Sequence, residues 1–348
     1  MRTIALVGCG RISDRHLKVI AMIPELKLVG VCDCREDRAH AAANASGVPA
    51  YTDALEMVKT LKPDIVSILT DSGLHASLGC LLAPHVPVLV VEKPMALTLE
   101  DADRLIETCE AHGTKLFVVK QNRFNPPVVA LKRAVQEGRF GKMVLGTVRI
   151  RWARTQAYYD EAAWRGTWKQ DGGVLTNQAS HHIDLLQWLL GPVESVKAYV
   201  STRLVDIEAD DTGVAVLKFK SGALGVVEAT TATRPKDLEG SLSLLGEKGS
   251  VVIGGFSVNL PVTWNFVEPK PEDDEIKSLI TNPPNVYGFG HLPYYRHVLE
   301  SLDSGRNSML AGLDGRKSVE IINALYESAF MGREVHLNYV PSGVPLGH

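Results

Sequence analysis

Over its first 120 residues the chain alternates short apolar runs with stretches of helical spacing. "TIALVG", "LKLVGVCD", "DIVSILT", "PVLVVEKP" and "KLFVVK" are strand-sized. Between them stand "RISDRHLKVIAMI", "REDRAHAAANASG", "DALEMVKTL", "HASLGCLLA" and "LEDADRLIETCEAHG". Apolar strands separated by helices predict right-handed βαβ units in a parallel sheet, with six strands countable. After Lys120 the period drops to two: in "KMVLGTVRIRWAR", "VESVKAYVSTRLV", "DTGVAVLKFKSGALGVVEATTAT" and "GSLSLLGEKGSVVIGG" apolar and polar positions alternate around Ser-Gly and Gly-Glu-Lys-Gly turns. That pattern predicts a mostly antiparallel open sheet with one wet face. "DGRKSVEIINALYESAFMG" adds an amphipathic helix near the end. The expected fold class is α/β over residues 1–120, followed by an α+β domain over residues 121–348.

A length of 348 residues suits two such domains. With 45 % hydrophobic and 22 % charged residues the chain can bury a core, which excludes disorder. Its longest apolar runs fall short of the ~20 residues of a membrane span, and the N-terminal run breaks at glycines as no signal peptide does. A cytoplasmic protein is expected. The five cysteines crowd the first third in odd number, so no disulfide framework is expected; Cys32 and Cys34 straddle one residue and read as core thiols, not metal ligands. No metal site is expected. A net charge of −3 with dispersed basic residues argues against nucleic acid as a partner.

Chemistry enters at "GCGRIS", which follows the first strand and opens the first helix. Gly8 permits a tight turn, and Gly10 lets the backbone approach a pyrophosphate at the helix N-terminus formed by Arg11, Ile12 and Ser13. Asp33 ends the second strand where an acid would accept from the adenosine ribose hydroxyls and repel a 2′-phosphate. This is a Rossmann dinucleotide site, and the acid favours NAD over NADP. Glu92 and Lys93 of "VEKP" sit at the ligand-binding edge of the sheet, where an ammonium can hold a cofactor ribose and a substrate hydroxyl together. Gln121, just after the last parallel strand, is expected beside the cofactor.

The stretch "DGGVLTNQASHHIDLLQWLL" places two histidines on one predicted helix. At ~100° per residue Asn177, His181, Asp184 and Trp188 fall within about 60° of one another, whereas His182 lies about 140° away, among Leu185, Leu186 and Leu189. His182 therefore reads as a packed histidine with a local hydrogen bond. His181, on the polar stripe with Asn177 and beside Gln178, is the candidate base; an unperturbed pKa of ~6.5 leaves most of such an imidazole neutral and able to take an alcohol proton. Arg123, Arg154 and Arg165, with Tyr158 and Tyr159, suit a diphosphate or a carboxylate. "GFGHLPYYRH" offers His291, Tyr294 or Tyr295 to the same pocket.

Together the glycine turn, "EKP" and "DGGVLTNQASHHIDLLQWLLGPVESV" resemble the Gfo/Idh/MocA oxidoreductase family over nearly the whole chain. The resemblance implies that Lys93 and His181 handle the substrate hydroxyl, and that the loop from Thr70 to His75 borders the nicotinamide. Many sugar and polyol members carry Asp and Gly where this chain has Asn177 and Ala179. "KQNRFNPPVVALKRAVQEGRFGK", "RWARTQAYYDEAAWRGTWKQDGG" and "NQASHHIDLLQWL" look like the bacterial UDP-N-acetyl-2-amino-2-deoxyglucuronate 3-dehydrogenases within that family. This implies NAD, oxidation of the C3 hydroxyl of a UDP-linked N-acetylated uronic acid for surface polysaccharide, and a homotetramer built through the second-domain sheet. Dehydrogenation of a free sugar or polyol is the alternative. A non-catalytic dinucleotide-binding regulator is a third reading, against which the retention of Lys93 and His181 speaks.

Overall fold

The computed structural model describes residues 1–279, 288–306, 308–338, 341 and 344–348. Two compact units emerge, residues 1–120 with 291–319 and residues 121–290 with 320–348. The first boundary falls where the hydrophobic period changes. The second does not follow the sequence pattern, which left 291–319 in the second domain. The helix His291–Ser304 packs on the helix Ser13–Ala21, burying Tyr294, Tyr295, Val298 and Leu299 within the first unit.

In the first unit β1 (Arg2–Val7), β2 (Leu26–Cys32), β3 (Ala50–Tyr51), β4 (Ile65–Ile68), β5 (Val88–Val91) and β6 (Lys115–Val118) form one parallel sheet in the order β3-β2-β1-β4-β5-β6. Ile4, Leu6, Ile65, Val66, Ile68, Leu89, Val90 and Val91 are fully buried, the condition their unbroken apolar runs require of a sheet covered on both faces. The order switches direction at β1 and β4, the place where such sheets bind ligands beyond their carboxyl ends. Val7, Ile68, Val91 and Val118 pair in one row, so the residues that follow each of them leave the sheet at a common edge.

The second unit is built on β7 (Met143–Arg151), β8 (Val193–Ser201), β9 (Thr212–Phe219), β10 (Leu224–Thr230), β11 (Glu239–Gly246), β12 (Gly249–Gly254), β13 (Leu260–Phe266) and β14 (Val335–His336). Their order is β13-β12-β11-β7-β10-β9-β8-β14, antiparallel at each pairing except β7 with β10. β9 shows the alternation plainly, with Ala215, Leu217 and Phe219 buried and Val214, Val216 and Lys218 exposed. The helix Ser180–Leu190 covers the buried face along β7 and β11. No helix among the described residues is long and apolar enough to cross a membrane.

Candidate active site

The first unit concentrates its chemistry at the shared strand edge. Gly8 adopts φ +100°, and a Cβ there would stand 2.7 Å from the Leu69 carbonyl carbon, so the turn after β1 can lie against β4 only as glycine. At Gly10 the corresponding space is open, which leaves room for a pyrophosphate. The Ser13 hydroxyl donates to the Gly10 carbonyl at 2.6 Å, so the small residue standing in the third-glycine position also closes the turn. Ile12 supplies no side-chain cap; the Ser13 N–H donates to the Gly10 carbonyl and the Arg15 N–H to that of Ile12, and the positive end of the helix Ser13–Ala21 follows directly on the open turn, which suits an anion. Asp33 accepts from the Cys9 N–H at 2.8 Å through Oδ2 and from the Arg35 N–H at 2.9 Å and the Cys34 thiol at 3.8 Å through Oδ1, which fixes its carboxylate at the end of β2 with a lone pair left on Oδ2. Arg35 is drawn to Asp37, at 2.7 Å. Open turn, uncapped helix and oriented acid all fit a dinucleotide without a 2′-phosphate.

Beside this edge lies a buried polar network. Glu92, directly after β5, accepts from the Lys93 N–H at 2.9 Å through one carboxylate oxygen, and its other oxygen lies 3.0 Å from His16 Nε2. His16 Nδ1 lies 2.7 Å from the Tyr295 hydroxyl, which in turn lies 3.1 Å from the Ser67 hydroxyl. His291 Nε2 stands 3.9 Å from Glu92. Burial works against the charge of Glu92, but the hydrogen bond from His16 and the nearby His291 ring outweigh it and hold its carboxyl well below the usual range. Burial pushes His291 down to about 4.

Two expectations change here. His291, expected in the substrate pocket, is fully buried in the first unit, and Glu92, expected on the cofactor, is 5 % exposed and spends its carboxylate on His16 and the Lys93 backbone. The network instead holds the Glu-Lys-Pro turn that presents Lys93. The ligand atoms of His16, Glu92 and His291 all lie within 4.8 Å of one another, a metal-like set that sequence spacing did not suggest. The hydrogen bond between His16 and Glu92 accounts for their closeness without an ion. His75 is likewise buried, between the carbonyls of Pro94 (2.7 Å) and Thr70 (2.9 Å), so it ties the 70–75 loop to the same turn instead of facing a ligand. Burial lowers its pKa.

In the second unit the predicted helix is two: Val174–Asn177 and Ser180–Leu190, broken at Gln178 and Ala179. His181 is partly exposed, and its Nε2 meets the side-chain amide of Gln121 at 2.8 Å. Gln121 was expected at the cofactor. His182 lies on the opposite face, fully buried and edge-on to Trp152. Burial pushes it down to about 4. Neither ring nitrogen has a partner at strict hydrogen-bonding geometry, and the expected local hydrogen bond is reduced to a weak contact with the Gly240 backbone that opposes this shift. Asn177 donates to Asp171, whose other oxygen accepts from the Gly166 N–H at 2.7 Å. Gln178 is buried beside the helix break.

The arginine group separates into two roles. Arg123, 2 % exposed, makes a bidentate pair with Asp184 (both contacts 2.8 Å) and lies over the Trp188 ring. Its fork is therefore filled by protein, not substrate. Tyr159 is also buried, its hydroxyl 3.0 Å from Thr231 and its pKa pushed up to about 12 by burial, so it is a packing residue. Tyr158 lies between the guanidiniums of Arg154 (5.3 Å) and Arg165 (4.2 Å), which pair with Asp237 and Glu161. The Nε of Arg165 is buried without a hydrogen-bond partner. Tyr295, offered to the substrate pocket, lies instead in the buried network with His16 and Ser67; sequence reading missed His16, whose one signal is a polar residue on the buried stripe of its helix, and Asp171, which carries none.

Residues 2–120 match the model of the GFO/IDH/MocA oxidoreductase family with its NAD-binding Rossmann fold, and residues 128–252 match that of the GFO/IDH/MocA C-terminal domain. Among solved structures, the WlbA dehydrogenase of Bordetella pertussis in complex with NADH and UDP-GlcNAcA is 41 % identical, with a TM-score of 0.91 and 98 % of each chain covered. The WlbA dehydrogenase of Chromobacterium violaceum, in complex with the same pair, is 42 % identical with a TM-score of 0.91, covering 97 % of this chain and 96 % of that one. D-apiose dehydrogenase of Paraburkholderia graminis is 27 % identical, covering 98 % of this chain and 91 % of its own.

Proposed function

The chain belongs to the Gfo/Idh/MocA oxidoreductase family, with its NAD-binding Rossmann fold, and from that premise we propose that it oxidises the C3 hydroxyl of a UDP-linked N-acetylated hexuronic acid to the 3-keto sugar. The observation that carries the substrate is the identity of 41–42 % over nearly the whole chain with two dehydrogenases solved with UDP-GlcNAcA, against 27 % for the apiose enzyme. Bound NAD supplies the hydride acceptor. Lys93 hydrogen-bonds the reacting hydroxyl and stabilises its developing negative charge, while His181 takes its proton. Asn177, oriented by Asp171, is a further contact to that hydroxyl.

Recognition of the anionic part falls to Arg154 and Arg165. The spare Nε donor of Arg165 supports this, as does the Tyr158 ring between the two guanidiniums. Homo-oligomer formation through the open sheet is supported by Tyr199, Val214, Val216 and Leu224, large apolar side chains exposed on neighbouring strands where a wet face would be polar. Of Cys32 and Cys34, both expected in the core, only Cys32 is buried; a free and exposed Cys34 suits the cytoplasm, where UDP-sugars and NAD are found. Oxidation of a free sugar, as in the apiose enzyme, is the second reading. UDP separates the two: it should inhibit competitively against the substrate if a diphosphate site exists, and absence of inhibition at millimolar UDP would remove the sugar-nucleotide assignment.

A further inference from the structure

The 3-10 turn Gln121–Phe124 opens with three polar residues, Gln121, Asn122 and Arg123, each under 5 % exposed. Burying three such side chains in succession costs several kcal/mol unless each is engaged. Arg123 is engaged by Asp184, and Gln121 by His181. Partners two apart on the turn thus meet residues three apart, and so neighbouring, on the helix Ser180–Leu190. The charged pair fixes the helix against the turn, and the amide contact falls on the candidate base. The Gln121 backbone is itself pinned, because a Cβ on Gly290 would stand 1.9 Å from its carbonyl oxygen.

Resting on the reading of His181 as the base, we propose that Gln121 is a positioning residue that fixes the tautomer of His181 and keeps its Nε2 lone pair ready for the substrate hydroxyl. An amide nitrogen carries only donors, so the Nε2 it meets at 2.8 Å must be an acceptor, and the ring proton sits on Nδ1. The reversed amide would leave both N–H groups buried without a partner, against one N–H and the carbonyl oxygen Gln121 Oε1 in this orientation, and an orphaned buried N–H is the rarer case. On substrate arrival the hydroxyl replaces the amide at Nε2. Its proton passes to that nitrogen as the hydride leaves C3 for NAD, giving the ketone and an imidazolium from which the amide must withdraw.

Two variants test this. Gln121→Leu removes the donor, and Gln121→Glu substitutes an acceptor that draws the proton onto Nε2. In the ligand-free protein, ¹⁵N-histidine spectra assigned by His181→Asn should show His181 as the Nδ1–H form in the wild type and as Nε2–H or imidazolium in Gln121→Glu. With UDP-N-acetylglucosaminuronate and NAD, kcat should fall about tenfold in the Leu variant and more in the Glu variant, where the acid limb of the pH–kcat profile should also move upward by about one unit, with KM for NAD unchanged. A wild-type Nε2–H tautomer, or a Glu variant with the wild-type profile, overturns the inference. Full activity of His181→Asn would instead overturn the assignment of the base on which it rests.

Discussion

Replacing Arg123 by Met keeps much of its apolar stem and removes the fork that meets Asp184. The carboxylate left behind is 4 % exposed and loses both of its 2.8 Å contacts, while Trp188 loses the cation above its ring. Breaking a buried pair from one side costs roughly 3–5 kcal/mol, most of it the penalty of a buried charge that has lost its counter-ion. With a urea slope of roughly 2–3 kcal/mol/M, the unfolding midpoint should fall by about 1–2 M. All five tryptophans, Trp152, Trp164, Trp168, Trp188 and Trp264, lie in the second unit, so their fluorescence follows that unit alone. Arg123→Met/Asp184→Leu should recover at least half of the loss, because no charge is then stranded. A single variant within about 0.5 kcal/mol of wild type, or a double variant no better than the single, would refute the reasoning.

His182 binds its proton in the unfolded chain near 6.5 but in the folded chain only at about 4. The stability of the second unit, read by tryptophan fluorescence, should therefore drop as pH falls from 6.5 toward 4, by about 3 kcal/mol at roughly 1.4 kcal/mol per pKa unit, and His182→Leu should flatten that part of the curve. Asp33→Ala should narrow the preference for NAD over NADP, measured as the ratio of kcat/KM; equal wild-type use of the two cofactors would undo the role given to that acid. His181→Asn should lower kcat by roughly 10²–10⁴ at unchanged stability, whereas Lys93→Met should lose turnover and also weaken NAD binding in a fluorescence titration, because the same ammonium is expected on the cofactor ribose.

What sequence made legible follows from which interactions are local. The parallel sheet, the Gly8 turn and Asp33 are written in adjacent residues and strand-length periods, and the placement of His182 on a buried arc needed only helical geometry. The break at Gln178 was invisible because neither residue there is a helix breaker. Long-range pairings carried no signal: Arg123 and Asp184 are 61 positions apart, and nothing on the chain separates an arginine filled by a partner carboxylate from one facing a ligand. His291 was misplaced for a related reason. It follows β13 in the chain but packs with the first unit, a return path that no periodicity records.

NADH formation measured with UDP-N-acetylglucosaminuronate, UDP-N-acetylglucosamine and free myo-inositol at matched concentrations decides the substrate. A charge-assisted contact from Arg154 or Arg165 to the C6 carboxylate is worth roughly 1.5–3 kcal/mol, so kcat/KM for the uronate should exceed that for UDP-N-acetylglucosamine by about ten- to a hundredfold, with negligible turnover of inositol. Comparable turnover of the free polyol would contradict the sugar-nucleotide assignment, and equal turnover of the two UDP-sugars would contradict the carboxylate's part in it.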